Sequence, residues 1–226
     1  MLRTAQIMSL VYDINSYTLT ILCKTRNEVY LGVKETEKII FKYHNDGPEE
    51  GNILTHLKGK ISNIPTLYER IQGPVTSPSG SQYKELLIMN YFEGKLIDCF
   101  KHIPHAKWCE CIDLSDDLDV KYKKTIITNL INIIAECHEH GVIHGDDYLG
   151  NSIVSDAGEV YLIDFGNAYF INDAPKILID IANGFLPERH DTFYLLNFIK
   201  YALNIPFPLG NKWKTMKARD LLQLIA

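Results

Sequence analysis

Near residue 92 the hydrophobic period of this chain changes, and that change restricts the fold more than any single residue does. Before it, β-branched and aromatic residues come in short runs between turn signals, which read as strands over 10–14, 17–22, 29–33, 38–43, 67–72 and 85–91. One helix interrupts them: after Asp46-Gly47-Pro48, residues 49–57 carry Ile53, Leu54 and Leu57 at helical spacing, with Pro48 where a first helical residue is tolerated. Residues 74–81, rich in Pro, Ser and Gly, read as an exposed hairpin loop, and Phe92-Glu93-Gly94 as a linker. Beyond the linker, Ile126, Ile127, Leu130, Ile133, Ile134 and Cys137 form one helical stripe. Leu195, Leu196, Ile199, Ala202 and Leu203 form another, ended by Asn204-Ile205-Pro206. The order predicts an α+β fold with a small antiparallel-sheet lobe (about 1–91), a hinge at 92–94 and a reduced, mainly helical lobe (95–226), together one domain with a ligand cleft at the linker.

With 226 residues, 46% of them hydrophobic, the chain can bury a core of that size. Its net charge of −5, with Lys and Arg scattered, leaves no electrostatic footprint for nucleic acid, so protein or small-molecule partners are expected. Residues 1–7 lack the apolar run of a signal peptide, and no stretch reaches the roughly 20 apolar residues of a membrane span. The chain therefore reads as a soluble, cytoplasmic monomer. The odd set Cys23, Cys99, Cys109, Cys111 and Cys137 suits reduced thiols, as in a cytoplasm, whether the chain's own or a host's after secretion. His102, His105, Cys109 and Cys111 lie close enough for a zinc site, but their spacing fits no common finger, and a loop with idle thiols is the plainer reading.

The densest chemistry is His144-Gly145-Asp146-Asp147-Tyr148-Leu149-Gly150-Asn151, followed by Val160-Tyr161-Leu162-Ile163 and then Asp164-Phe165-Gly166. An Asp, an Asn five positions later and a DFG Asp across a hairpin resemble the signature of the protein-kinase-like superfamily. That resemblance implies ATP and Mg²⁺ as cofactors. Phosphoryl transfer needs charge neutralisation more than covalent help, and Asn151 and Asp164 supply hard oxygen ligands suited to magnesium. Asp146 would accept the hydrogen of the attacking hydroxyl as catalytic base.

Upstream, Lys38-Ile39-Ile40-Phe41-Lys42 resembles the family's third strand, placing Lys42 at the α- and β-phosphates. Glu50 resembles the helix glutamate that holds this lysine, with Glu49 as the competing candidate. Residues 87–94 resemble the hinge: backbone groups of Asn90, Tyr91 and Phe92 would bind the adenine edge, Met89 would back its pocket and Val29 would roof it. The nucleotide-covering loop departs from the family, since residues 22–30 contain no glycine; backbone N–H groups then approach phosphates less closely, leaving Lys24, Thr25 or Arg26 to contribute charge or donors.

Gly145 stands where most protein kinases carry an arginine, and residues 167–187 contain no Ser or Thr, so the resemblance implies a kinase independent of activation-loop phosphorylation. Leu186-Pro187-Glu188 resembles the APE element, with Asp191 beyond it as a structural brace for His144 and Gly145. His-Gly-Asp also resembles aminoglycoside and choline kinases and the small kinases of the Bud32 and RIO type, and Tyr148 replaces the lysine usual in serine/threonine kinases. Only 35 residues follow Asp191, as in truncated bacterial effector kinases, so substrate docking would fall to a partner. The expected activity is transfer of the γ-phosphate to a protein hydroxyl, Ser or Thr before Tyr. A small-molecule kinase or partner-activated ATPase, and a pseudokinase binding module, are the alternatives.

Overall fold

The computed structural model describes residues 13–45, 49–98, 111–113, 119–146, 149–172, 186–204 and 212–226. Its contacts divide the chain into two units, one formed by 1–45 with 67–91 and the other by 46–66 with 92–226.

The first unit is one antiparallel sheet of β1 (Thr18–Lys24), β2 (Glu28–Lys34), β3 (Glu37–His44), β4 (Leu67–Thr76) and β5 (Gln82–Asn90), ordered β1-β2-β3-β5-β4. Period-two alternation along β3 puts Ile39, Phe41 and Tyr43 on one face, in a cluster with Tyr30, Tyr83, Leu86 and Ile88, and Phe41 is wholly buried. Tyr17 meets Phe41 edge-on at 5.5 Å between centroids, and Tyr30 meets Tyr43 at 6.0 Å. β5, flanked on both sides, also buries Leu87 and Met89, which is why its sequence is apolar without alternation.

Five of the expected strands match in place and type. The first, 10–14, does not: Asp13 caps a 3₁₀ turn at Ile14–Ser16, accepting from Asn15 N at 3.0 Å, and residues 10–12 lie outside the described set. The hairpin loop is shorter than expected, because β4 runs to Thr76 through a register shift between Gln72 and Val75 that absorbs Gly73 and Pro74.

The second unit opens with α1 (Glu49–Leu57), whose Ile53, Leu54 and Leu57 are wholly buried. His56 of α1 holds the carbonyl of His140 at 3.0 Å and meets Phe170 edge-on. The connection after α1 is pinned to a strand by Asn63, whose side chain donates to the Val160 carbonyl at 2.8 Å and whose carbonyl accepts from Leu162 N at 2.9 Å. α2 (Val120–Glu139) starts at Asp119, which accepts from Lys121 N and Tyr122 N, and buries the predicted stripe. α3 (Arg189–Leu203) buries Leu195, Leu196, Ile199 and Ala202.

This unit also contains a sheet, of which the sequence marks only the hairpin before the DFG. β6 (Lys95–Asp98), β7 (Cys111–Asp113), β9 (Ser152–Val154) and β10 (Val160–Leu162) pair in the order β10-β9-β6-β7, and β8 (Val142–Ile143) pairs with β11 (Tyr169–Phe170). Short strands separated widely in sequence carry too little periodicity to be seen alone. The class is α+β, with antiparallel strands first and helices later. Among the described residues no helix is long and apolar enough to cross a membrane.

Candidate active site

The loop that carries Asp146 hangs from α3. Asp191, in the first turn of that helix, is wholly buried, and its carboxylate accepts from His144 N and Gly145 N, each at 2.9 Å, while facing His138 Nε2 at 2.8 Å. Burial pushes its carboxyl pKa up, but His138, the field of His144 and the Gly145 N–H outweigh that and hold it below the usual carboxylate range. Asp191 thus occupies the bracing place expected for it. Gly145 has φ +73°, and a Cβ there would lie 2.7 Å from the Asn167 carbonyl oxygen, so no arginine fits at this position for reasons of backbone and space.

His144 ties this loop to the next motif. Its buried ring donates from Nε2 to the Ile163 carbonyl at 3.0 Å and packs edge-on against Phe165, while Ile163 N donates to the Asn151 carbonyl at 2.8 Å. Residues 144–146, 151 and 163–167 are therefore one cross-linked assembly.

Within it, two amides fix Asp146. Asn151 Nδ2 donates to the Asp146 carbonyl at 2.6 Å, and Asn167 Nδ2 donates to the Asp146 carboxylate at 2.7 Å. Asp164 adopts φ 59° and ψ 75°, a left-handed conformation that costs a non-glycine residue about 1–2 kcal/mol. Its carboxylate is exposed and accepts from Gly166 N at 3.3 Å, while the neighbouring Phe165 is wholly buried and α1 packs on this turn. Because the Asn151 nitrogen donates to the Asp146 carbonyl, its amide oxygen remains as an acceptor, and this oxygen and the Asp164 carboxylate are both hard oxygen groups of the kind magnesium takes.

The remaining candidates belong to β3, β5, the linker and α1. Lys42 is buried in β3, in register with Val29 on β2 and Leu87 on β5. Met89 is buried opposite Ile40, Asn90 pairs with Ile39, and Tyr91 lies beneath the Lys38 ammonium at 5.5 Å. Phe92 stacks on Tyr161 of β10 at 4.1 Å and 15°, a side-chain role beyond the backbone one expected of it. Gly94, φ +154°, lies so close to the Val154 carbonyl that a Cβ would stand 2.3 Å away. Of the two glutamates, Glu50 is buried and Glu49 exposed.

The glycine-free turn between β1 and β2 is closed by Thr25 N donating to the Asn27 carbonyl at 3.0 Å and by an ion pair of Lys24 with Glu28 at 3.0 Å. Lys24, a candidate for phosphate charge, is thus engaged within its own hairpin.

Asn167 is the residue that sequence reading missed at this site. One position past a DFG, an asparagine has no periodicity or spacing to mark it, and only the fold brings it 21 residues back to Asp146. His138, buried on α2 against Asp191, was missed for the same reason. Among the described residues no group of three His, Cys, Asp or Glu could hold a metal. The zinc reading falls on His102, His105 and Cys109, outside the described residues, and on Cys111, of which only the β7 backbone is described. Pro48, Asp147 and Tyr148 lie outside them too.

A family model for the ABC1 atypical kinase-like domain matches residues 48–181. The chain is also similar to the serine/threonine-protein kinase PSK2 of Saccharomyces cerevisiae, 29% identical over 162 residues. That match takes in 68% of this chain but only 13% of the yeast protein.

Proposed function

This chain belongs to the ABC1 atypical kinase-like domain family, and from that premise we propose that it is an ATP- and magnesium-dependent phosphotransferase acting on a protein hydroxyl, serine or threonine before tyrosine. The observation that carries the reading is the Asp146 carboxylate, held by Asn167 at 2.7 Å in the same cross-linked assembly as Asn151 and Asp164.

In this reading the acceptor hydroxyl donates to Asp146, which orients the oxygen and takes up its proton as the new P–O bond forms. Asn167 keeps one carboxylate oxygen engaged, so the other faces the acceptor. Asn151 and Asp164 would hold magnesium, which supplies neutralisation of phosphate charge. Lys42 would contribute a cation to the nucleotide phosphates, Glu50 would be the glutamate that holds this lysine, and Val29, Met89, Asn90, Tyr91 and Phe92 would supply the adenine contacts. Residues 1–226 act as one minimal, monomeric kinase domain in the cytoplasm, its own or a host's as an effector, with a docking partner for the protein substrate.

The test is transfer of label from γ-labelled ATP with magnesium to a cell lysate, sorted into protein and small-molecule fractions, beside Asp146→Ala and Asp164→Ala. Label in protein, lost in both variants, is the expected result. Label confined to small molecules moves the acceptor to a metabolite. No transfer, with nucleotide or partner still bound, replaces the reading by a pseudokinase binding module.

A further inference from the structure

The first unit contains a buried anion that the proposed reaction does not use. Glu28 opens β2 and is wholly buried. Its carboxylate pairs with Lys24 at 3.0 Å and accepts from Tyr30 OH at 2.8 Å, from Ser79 Oγ at 2.6 Å and from Ser81 Oγ at 3.4 Å. The serines touch one another, Ser77 Oγ at 3.2 Å and Ser81 Oγ at 3.1 Å from Ser79 Oγ. Burial pushes the Glu28 pKa up, but the Ser77 and Ser79 hydroxyls, the Lys24 ammonium and the Tyr30 phenol together pull it down to about 2. The anion is therefore permanent at cellular pH.

This cluster joins two hairpins that the sheet order keeps apart. β2 and β5 are separated by β3, yet Glu28, beside the β1–β2 turn, is bonded to serines in the loop between β4 and β5. That loop is closed by Ser77 N to the Ser81 carbonyl and Gly80 N to the Ser77 carbonyl, both 2.9 Å. It holds three of the chain's nine serines within five residues, 77–81, and Ser79 is exposed at its tip although its hydroxyl sits on the buried anion.

We propose that Ser79 is a phosphoacceptor whose phosphorylation opens this latch and frees the β1–β2 hairpin. The phosphate donor is a nucleoside triphosphate. The Ser79 Oγ–P bond forms as the bond from the γ-phosphorus to its bridging oxygen breaks, a nucleoside diphosphate leaves, and the hydroxyl proton passes to the base of the modifying kinase. A donor to Glu28 is thereby replaced by a group of about two negative charges against a carboxylate that has no access to water. Glu28 is expelled, Lys24 is drawn toward the phosphate, and the turn at Thr25–Asn27 loses its anchor. The latch stands on the geometry of the first unit alone.

The experiment uses the full chain and its Asp164→Ala variant, each incubated with ATP and magnesium, alone and with cell lysate, with phosphates mapped by mass spectrometry. Hydrogen exchange then compares the unmodified chain with Ser79→Ala and Ser79→Asp. We expect phosphate on Ser79 in at least one arm, about tenfold faster exchange across 25–30 in Ser79→Asp, and less than about threefold in Ser79→Ala. Phosphate on Ser79 only with lysate, in both chains, supports the latch while assigning the mark to another kinase, so the two readings fail separately. No phosphate on this loop in any arm overturns the proposal, as does equal exchange in the Asp and Ala variants. Should Ser79→Asp not fold, exchange of the phosphorylated native chain replaces it.

Discussion

In the second unit the loop bearing Asp146 is fixed through its backbone: a buried carboxylate on α3 takes two successive N–H groups, and a glycine at φ +73° lets the chain pass under the Asn167 carbonyl. In the first unit the β1–β2 turn has no glycine and is fixed through side chains, with Lys24, Tyr30, Ser79 and Ser81 gathered on Glu28. Backbone anchoring holds the Asp146 loop without drawing on the Asp146 carboxylate itself. Side-chain anchoring consumes the charges that the turn offers, but it can be altered by chemistry on one hydroxyl. One chain thus fixes one loop through its backbone N–H groups and another through side chains gathered on a carboxylate.

The strongest way to break the comparison is Asp191→Ala, which leaves His138 and two buried N–H groups without an acceptor. A loss of about 3–5 kcal/mol in chemical denaturation is expected, whereas Glu28→Gln, which keeps the shape and an acceptor oxygen, should cost less. A similar small cost for both would show that the backbone anchor is not special. Asp146→Asn comes next: an amide keeps the shape and cannot take the proton, so the transfer rate should fall at least about 100-fold with the melting temperature held.

Asn167→Leu sharpens the same point at smaller scale. Removing the donor 2.7 Å from the Asp146 carboxylate should lower kcat about tenfold and leave KM for ATP in place. An unchanged kcat would reduce Asn167 to packing. The acid response of the first unit tests the other side of the contrast. With its folded pKa lowered from 4.5 to about 2, Glu28 contributes stability that is full above pH 4.5 and is lost as pH falls toward 2. Urea midpoints measured across that window should decline in the native chain, and Glu28→Gln should remove that part of the slope.

Much of this was legible in the sequence, for identifiable reasons. Helix α1 was read at its observed bounds because Ile53, Leu54 and Leu57 repeat at 3.6 residues and every one is buried. Asp146, Asn151 and Asp164 stand out as candidates because their spacing is itself a pattern, and the structure links their loops through His144 and Ile163. Gly145 was noticed as a missing arginine, while its cause, a close carbonyl and a left-handed backbone, is three-dimensional. β6 and β7 escaped because a parallel pair of four and three residues has no alternation to read. Asn167 and the Glu28 cluster escaped because their partners lie 21 and 51 residues away, and hydroxyls in a Ser-rich loop look the same whether they face water or a buried carboxylate.

The account turns on whether the Asn151 and Asp164 oxygens gather magnesium and nucleotide. Calorimetric titration of ATP into the native chain and into Asp164→Asn, with and without magnesium, addresses it directly. The account predicts that magnesium tightens ATP binding at least about tenfold in the native chain and not in the variant. Equal affinity in all four titrations would contradict it.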